Sequence, residues 1–208
     1  MPFLGEPTRC DFGDGQGCVS AFVWYNLKGG RGGLVAATSN LHPSVELSAD
    51  SSVGSEVEIG PNVRVIDGSN VKYRAVIGEG SFLRAATIGA RSRIGADTNI
   101  QEAQVGPDCS VEADAELLGS TLANGAKVGT LSSIASCRIG AAATVGNQST
   151  LSGVVVDDAV TVPTHTCIQQ NPIIYSHKGI IVQQPDTSWG ARTRASVTQT
   201  PARNTPTM

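Results

Sequence analysis

Aromatic rings are scarce in this chain: four Phe, three Tyr and two Trp in 208 residues, against 24 glycines. A one-domain core usually draws much of its volume from such rings, so this interior has to be filled with small aliphatics. Charge is sparse too, 16% of residues with a formal net charge of −3. That excludes the low-hydropathy, high-charge signature of disorder, and nucleic acid is not expected as a partner. No apolar run approaches the roughly 18 residues of a membrane span. The opening MPFLGEPTRC has neither the basic nor the long apolar stretch of a secretory signal. Five cysteines, at 10, 18, 109, 137 and 167, lack metal-site spacing. The expectation is reduced thiols in an intracellular compartment, with a Cys10–Cys18 disulfide as the alternative.

What the chain does have is a period. Aliphatic residues stand six apart at Leu41, Leu47, Val53, Ile59, Val65, Val71, Ile77 and Leu83. The step then becomes five, six, six without a slip: Ile88, Ile94, Ile100; Val105, Val111, Leu117; Leu122, Val128, Ile134; Ile139, Val145, Leu151; Val156, Val162, Ile168. One structural turn is therefore 17–18 residues with three sides, which is a solenoid. A second column, including Ser81, Ser92, Thr98, Cys109, Ala126, Ser132, Cys137 and Ser149, is small or β-branched and suits the narrow corners of a triangular prism. Aromatic rings do not fit such a bore, and their scarcity follows from the architecture. Coils spaced by about 4.8 Å make eight turns over residues 35–170 roughly 38 Å long.

At these hexads the chain resembles the left-handed parallel β-helix family of hexapeptide-repeat proteins, in IGADTN, VGPDCS, VEADAE, IGAAAT and VGNQST. The resemblance implies an all-β fold, a left-handed parallel β-helix of about eight coils. It would be flanked by a non-helical N-terminal arm or cap (1–34) and an extended C-terminal arm (171–208). The family includes acyltransferases, γ-class carbonic anhydrases, C-terminal domains of nucleotide-sugar pyrophosphorylases and catalytically silent assembly subunits.

Three stretches bear on which of these the chain is similar to. FLRAATIGARSRIGADTNIQE resembles the γ-class carbonic anhydrase signature, which places Arg84, Gln101 and Glu102 at catalytic positions as vestiges. The period itself stacks Arg84 and Gln101 in one column. Zinc in those enzymes needs three histidines, whereas Pro107, Ala113 and Leu118 occupy or neighbour their places and no His occurs between residues 43 and 164. VEADAELLGSTLANGAKVGTLSSIASCRIGAAATVGNQSTL resembles the acetyltransferase half of bifunctional hexosamine-phosphate enzymes, with Asn147 where the general base stands. STLSGVVVDDAVTVPTHTCI is similar to the closing coils of nucleotide-sugar pyrophosphorylases, where such coils oligomerise or regulate. From Val53 to Ile168 no loop interrupts the repeat, so smooth faces with few concave sites are expected.

His165, in TVPTHTCI near Cys167, is the one histidine placed to act as a base. His42 and His177 read as solvated. Between Leu122 and Val155 only Lys127 and Arg138 are charged, a wall that suggests burial in an assembly. Phe22, Trp24 and Tyr25, in CVSAFVWYN, and Trp189, in the basic tail, are the candidate partner-binding residues. Phe22 and Trp24 would share one face of a strand, capping the first coil or anchoring a partner. The expectation is a non-catalytic β-helix scaffold or assembly subunit without cofactor or metal. It would be a homotrimer, a hetero-oligomer with related β-helix subunits, or a component of a larger assembly. The alternative is an acetyl-CoA-dependent acyltransferase whose base is His165, at a subunit interface.

Overall fold

The computed structural model describes residues 7–13, 15–176 and 179–182, with side chains as far as 169. It is all-β: short parallel strands follow one another round a three-walled coil, and about eight coils stack into a solenoid. No helix long and apolar enough to cross a membrane occurs among the described residues. The first wall runs from Asn40–Leu41 through Glu58–Ile59, Val76–Ile77, Arg93–Ile94 and onward to Thr161–Val162. The second runs from Glu46–Leu47 to the start of Thr150–Val156, and the third includes Ser52–Val53 and Arg138–Ile139. Register partners Asn40, Glu58 and Val76 are 18 apart, and from Val76 to Arg93 the step is 17. The change of period at Leu83–Ile88 in the sequence is thus a shortening of one side of the coil.

Every aliphatic column points inward. Val53, Val65, Leu83, Ile100, Leu117, Ile134 and Leu151 are fully buried. Aliphatics of this size fill the bore, and their burial out of water supplies the main stabilisation. The strands stay short because the chain bends at each corner through a residue with left-handed φ. Non-glycine residues take this conformation at Asp97 (φ 54), Asp114 (φ 57), Leu131 (φ 55), Gln148 (φ 55) and His165 (φ 59), one column of the prism. Each costs about 1–2 kcal/mol of steric strain. A ladder offsets it: Asp97, Asp114, Leu131, Gln148 and His165 donate their N–H to the carbonyls of Glu79, Ala96, Ala113, Thr130 and Asn147, one coil below. Glycine is required where coils approach most closely. A Cβ on Gly95 would lie 2.4 Å from the backbone nitrogen of Ala113.

The small column is more than small. Ser81 Oγ donates to Gly95 O (2.8 Å) and accepts from Thr98 N–H (3.3 Å). Ser92 does the same with Gly106 O and Cys109 N, and Ser132 with Gly146 O and Ser149 N. These hydroxyls satisfy buried backbone groups at corners that the strand ladders do not reach.

The ends differ from the middle. Three antiparallel strands, β1 (Thr8–Asp11), β2 (Cys18–Tyr25) and β3 (Arg31–Ala36), continue the third wall below Ser52–Val53. β3 therefore crosses the boundary drawn at residue 34 and belongs to the prism. At the other end Cys167–Ser176 pairs in parallel with Thr150–Val156, then turns back antiparallel as Gly179–Val182. The boundary at 170 falls inside a strand rather than at the root of an arm. Cys10 is paired with Val19 and Cys18 with Asp11, so their side chains leave opposite faces of the ladder. Both are free thiols, and the Cys10–Cys18 disulfide is not formed.

Candidate functional site

The second wall gathers the polar residues that the γ-class resemblance singled out. Arg84 and Gln101 are register partners on adjacent coils, stacked between Ile66 and Leu118. Arg84 Nη2 lies 3.2 Å from Glu102 Oε1, so these two neutralise each other on an exposed edge. Gln101 Nε2 donates to Asn99 Oδ1 (2.9 Å), Asn99 Nδ2 to Glu116 Oε1 (3.2 Å), and Ser133 Oγ to Glu116 Oε2 (3.2 Å). Asn99, Glu116 and Ser133 form one outward column. The sequence reading passed over this chain, though its 17-residue spacing carried the signal. Pro107, Ala113 and Leu118 bring no donor atom for zinc, and no cluster of His, Cys, Asp or Glu able to hold a metal occurs among the described residues.

His165 is exposed at the last corner, between the first and second walls. Its backbone N–H goes to Asn147 O (2.9 Å), and no hydrogen bond to its ring occurs among the described residues. Its place has a local cause: His, like Asn and Asp, is enriched in the left-handed conformation that this corner requires. Cys167, two residues on, is exposed on the second wall beside Thr150. Cys109 and Cys137, by contrast, are buried in the corner column, and desolvation pushes both thiols up. They are protonated and inert. His42 is exposed, with Nδ1 2.7 Å from Ser44 Oγ.

The depressions in the surface are shallow. One of about 570 Å³ lies near the C-terminal end against Arg138, Val155, Asp157 and Asp158. Another, of about 330 Å³, lies against Thr38, Glu56, Glu58 and Arg74 near the other end. Neither contains Arg84, Gln101, Glu102 or His165.

The aromatic run of β2 divides. Trp24 is 4% exposed and joins the core at the mouth of the bore, donating Nε1–H to Val45 O (3.2 Å). Its indole closes the mouth of its own prism, the capping one of the two roles expected for this segment. Phe22 is half-buried and Tyr25 is 39% exposed. A bulge between Val23 and Tyr25 disturbs the alternation on which a shared face for Phe22 and Trp24 rested. Trp189 and His177 lie outside the described residues.

No protein-family model matches the chain, and no curated protein matches it in sequence. Solved structures do. The UDP-N-acetylglucosamine acyltransferase of Bacteroides fragilis superposes with a TM-score of 0.53 over 71% of this chain and 73% of that one, at 16% identity. The chain has the left-handed β-helix fold of hexapeptide-repeat proteins. A variant of GDP-perosamine N-acetyltransferase from Caulobacter crescentus, solved with CoA and GDP-perosamine, is 21% identical with a TM-score of 0.38. That match covers 59% of this chain, which spans 57% of the length of the Caulobacter protein. The acetyltransferase domain of PglB from Neisseria gonorrhoeae, solved with acetyl coenzyme A, is 16% identical over 72% of this chain and 56% of that one, with a TM-score of 0.29. At 16% identity the fold is what this chain shares with the Bacteroides protein.

Proposed function

We propose that the chain is a β-helical assembly subunit that acts through its outer walls rather than through a catalytic pocket. One observation carries this reading. The strand register runs through the coils from Ser52 to Thr161 without an inserted loop, so no wall of the prism is folded into a substrate cleft. The candidate residues fit it, since Arg84 and Glu102 pair with each other and Gln101 with Asn99. The weakly charged exterior of the two coils from Leu122 to Val155 is the surface offered to a partner, in a homotrimer or with a related β-helix subunit. Sedimentation of the purified chain tests it: a discrete oligomer is expected, and a monomer at all concentrations would sink the homotrimer.

The structural neighbours favour a second reading, acyl transfer. Those named above are acyltransferases, two of them solved with CoA or acetyl-CoA. His165 would be the base, exposed near Cys167 where a neighbouring subunit could complete a cleft. Acetyl-CoA and UDP-N-acetylglucosamine discriminate the readings. Thermal stabilisation by acetyl-CoA, with CoA release abolished in His165→Ala, would establish acyl transfer and displace the scaffold. Neither effect is expected if the walls alone do the work.

A further inference from the structure

A stack of identical coils ends in open peptide groups, an invitation to another coil or another copy. Along the second wall each coil serves the one above. Glu46 N–H donates to Val63 O (3.0 Å) and Ser48 N–H to Val65 O (3.0 Å). At the lowest coil the matching acceptors are Val45 O and Leu47 O, and among the described residues no coil lies beneath them. Two side chains stand in its place. Trp24 Nε1 donates to Val45 O (3.2 Å), and Asn26 Nδ2 donates to Leu47 O (3.0 Å). Asn26 Oδ1 accepts the Leu47 N–H (2.8 Å). A carboxamide carries the same donor and acceptor as a peptide group, so Asn26 imitates the missing backbone on both counts.

Both ends of the third wall and the top of the first are met by different means. β3 and β2 cover the bottom of the third wall, and Gly179–Val182 covers its top by pairing antiparallel. At the top of the first wall, Gly129 and Gly146 donate upward to Val145 O and Val162 O (2.9 Å each). Seventeen residues after Gly146 the chain places Pro163, which has no N–H to offer.

We infer that Trp24 and Asn26 form a side-chain surrogate for the absent coil, and that with Pro163 they keep the prism from growing end to end. The inference stands whether or not the walls are the functional surface, because it concerns the ends alone.

Amide exchange resolved by residue tests the surrogate. In Asn26→Ala the Leu47 amide should exchange at least about tenfold faster, with Val128 and Leu151 in distant coils unchanged. A Leu47 amide equally protected in both proteins would overturn the role of Asn26. Growth is read by sedimentation over a concentration series. The natural chain should keep one size or a discrete oligomer, while Asn26→Ala combined with Pro163→Gly should lengthen with concentration at constant width. End-to-end rods of the natural chain, or a folded double variant that never lengthens, would overturn the closure. Should the double variant fail to fold, the exchange measurement on Asn26→Ala still decides.

Discussion

The two halves of the prism share one interior and wear different exteriors. In the coils before Glu116, charged side chains reach across neighbouring coils: Arg64 to Glu46, Arg74 to Glu56, Arg84 to Glu102, and Arg91 to Asp108 through two bonds of 2.7 and 2.6 Å. Arg64 also lies 5.3 Å from the Phe82 ring centre, and Arg74 4.8 Å from that of Tyr73. From Leu122 to Val155 the corresponding columns hold Ser, Thr, Ala and Gly, with only Lys127 and Arg138 charged. Inside, nothing changes: aliphatic markers and corner hydroxyls continue to the last coil. Exposed ion pairs are individually weak because water screens them. The charge of the first half therefore does little to hold the fold, and its absence from the second half does little harm. The difference lies in what each surface can meet, a solvated, charged exterior on the earlier coils and one free to be covered on the later coils.

If the interior is common to both halves, equal damage to it should have equal effects. Leu83→Ala in the first half and Leu151→Ala in the second each remove a fully buried side chain. A loss of about 2–5 kcal/mol is expected at either site, read from urea denaturation. A much smaller loss at Leu151 would mean that the second half is not packed like the first. The corner hydroxyls come next. Ser81→Ala and Ser132→Ala each strand a buried N–H, of Thr98 or Ser149, and each should cost about 1–3 kcal/mol in the same assay.

That second pair also marks where sequence alone runs short. The period places Ser81 and Ser132 in the narrow column, and the column would accept Ala on volume, as it does at Ala126 and Ala143. Only the coil-to-coil geometry shows the hydroxyls bridging backbone groups. The stacking of Arg84 on Gln101 was legible for the opposite reason, since 17 residues fix a register by themselves. Its ion pair with Glu102 turns a corner and needed the structure. His165, the candidate base by residue type, has column mates Gln148 and Leu131, 17 and 34 residues earlier, that identify a corner. Trp24 and Asn26 lie outside the periodic region, where no repeat predicts which group meets Val45 and Leu47.

Acid separates the halves more gently. The Glu46 carboxyl is held low chiefly by its hydrogen bond from Lys28, and Asp108 by those from Arg91. Asp50 is lowered first by Ser48. A depressed folded value stabilises the fold above the unfolded pKa, and that contribution is lost as pH falls through the folded value. The window therefore lies below the ordinary 4.5 of Glu46 and 3.8 of Asp50 and Asp108. Between pH 5 and 3 the thermal midpoint should fall, by less than any of the four substitutions above lowers it. In Asp108→Asn it should fall less steeply, and amides near Asp108 should open before those near Val145. Parallel pH profiles for the two proteins would remove Arg91–Asp108 from the account.

The smallest effect on the fold is the most telling about the surface. Ala135 points outward from the second wall, half-buried between Leu118 and Ser152. Glu in its place meets water in a lone prism, so the stability of the isolated chain should move by no more than about 0.5 kcal/mol. In an assembly that covers this wall, the same carboxylate would be desolvated without a partner, and association should weaken sharply. The control is Glu102→Lys on the charged half, where a new charge faces solvent in either state. Sedimentation of the two variants at equal concentration separates the cases. Dissociation by Ala135→Glu with little change from Glu102→Lys assigns the contact to the neutral half. Equal behaviour of the two would mean that the contrast between the exteriors does not decide where this prism is held.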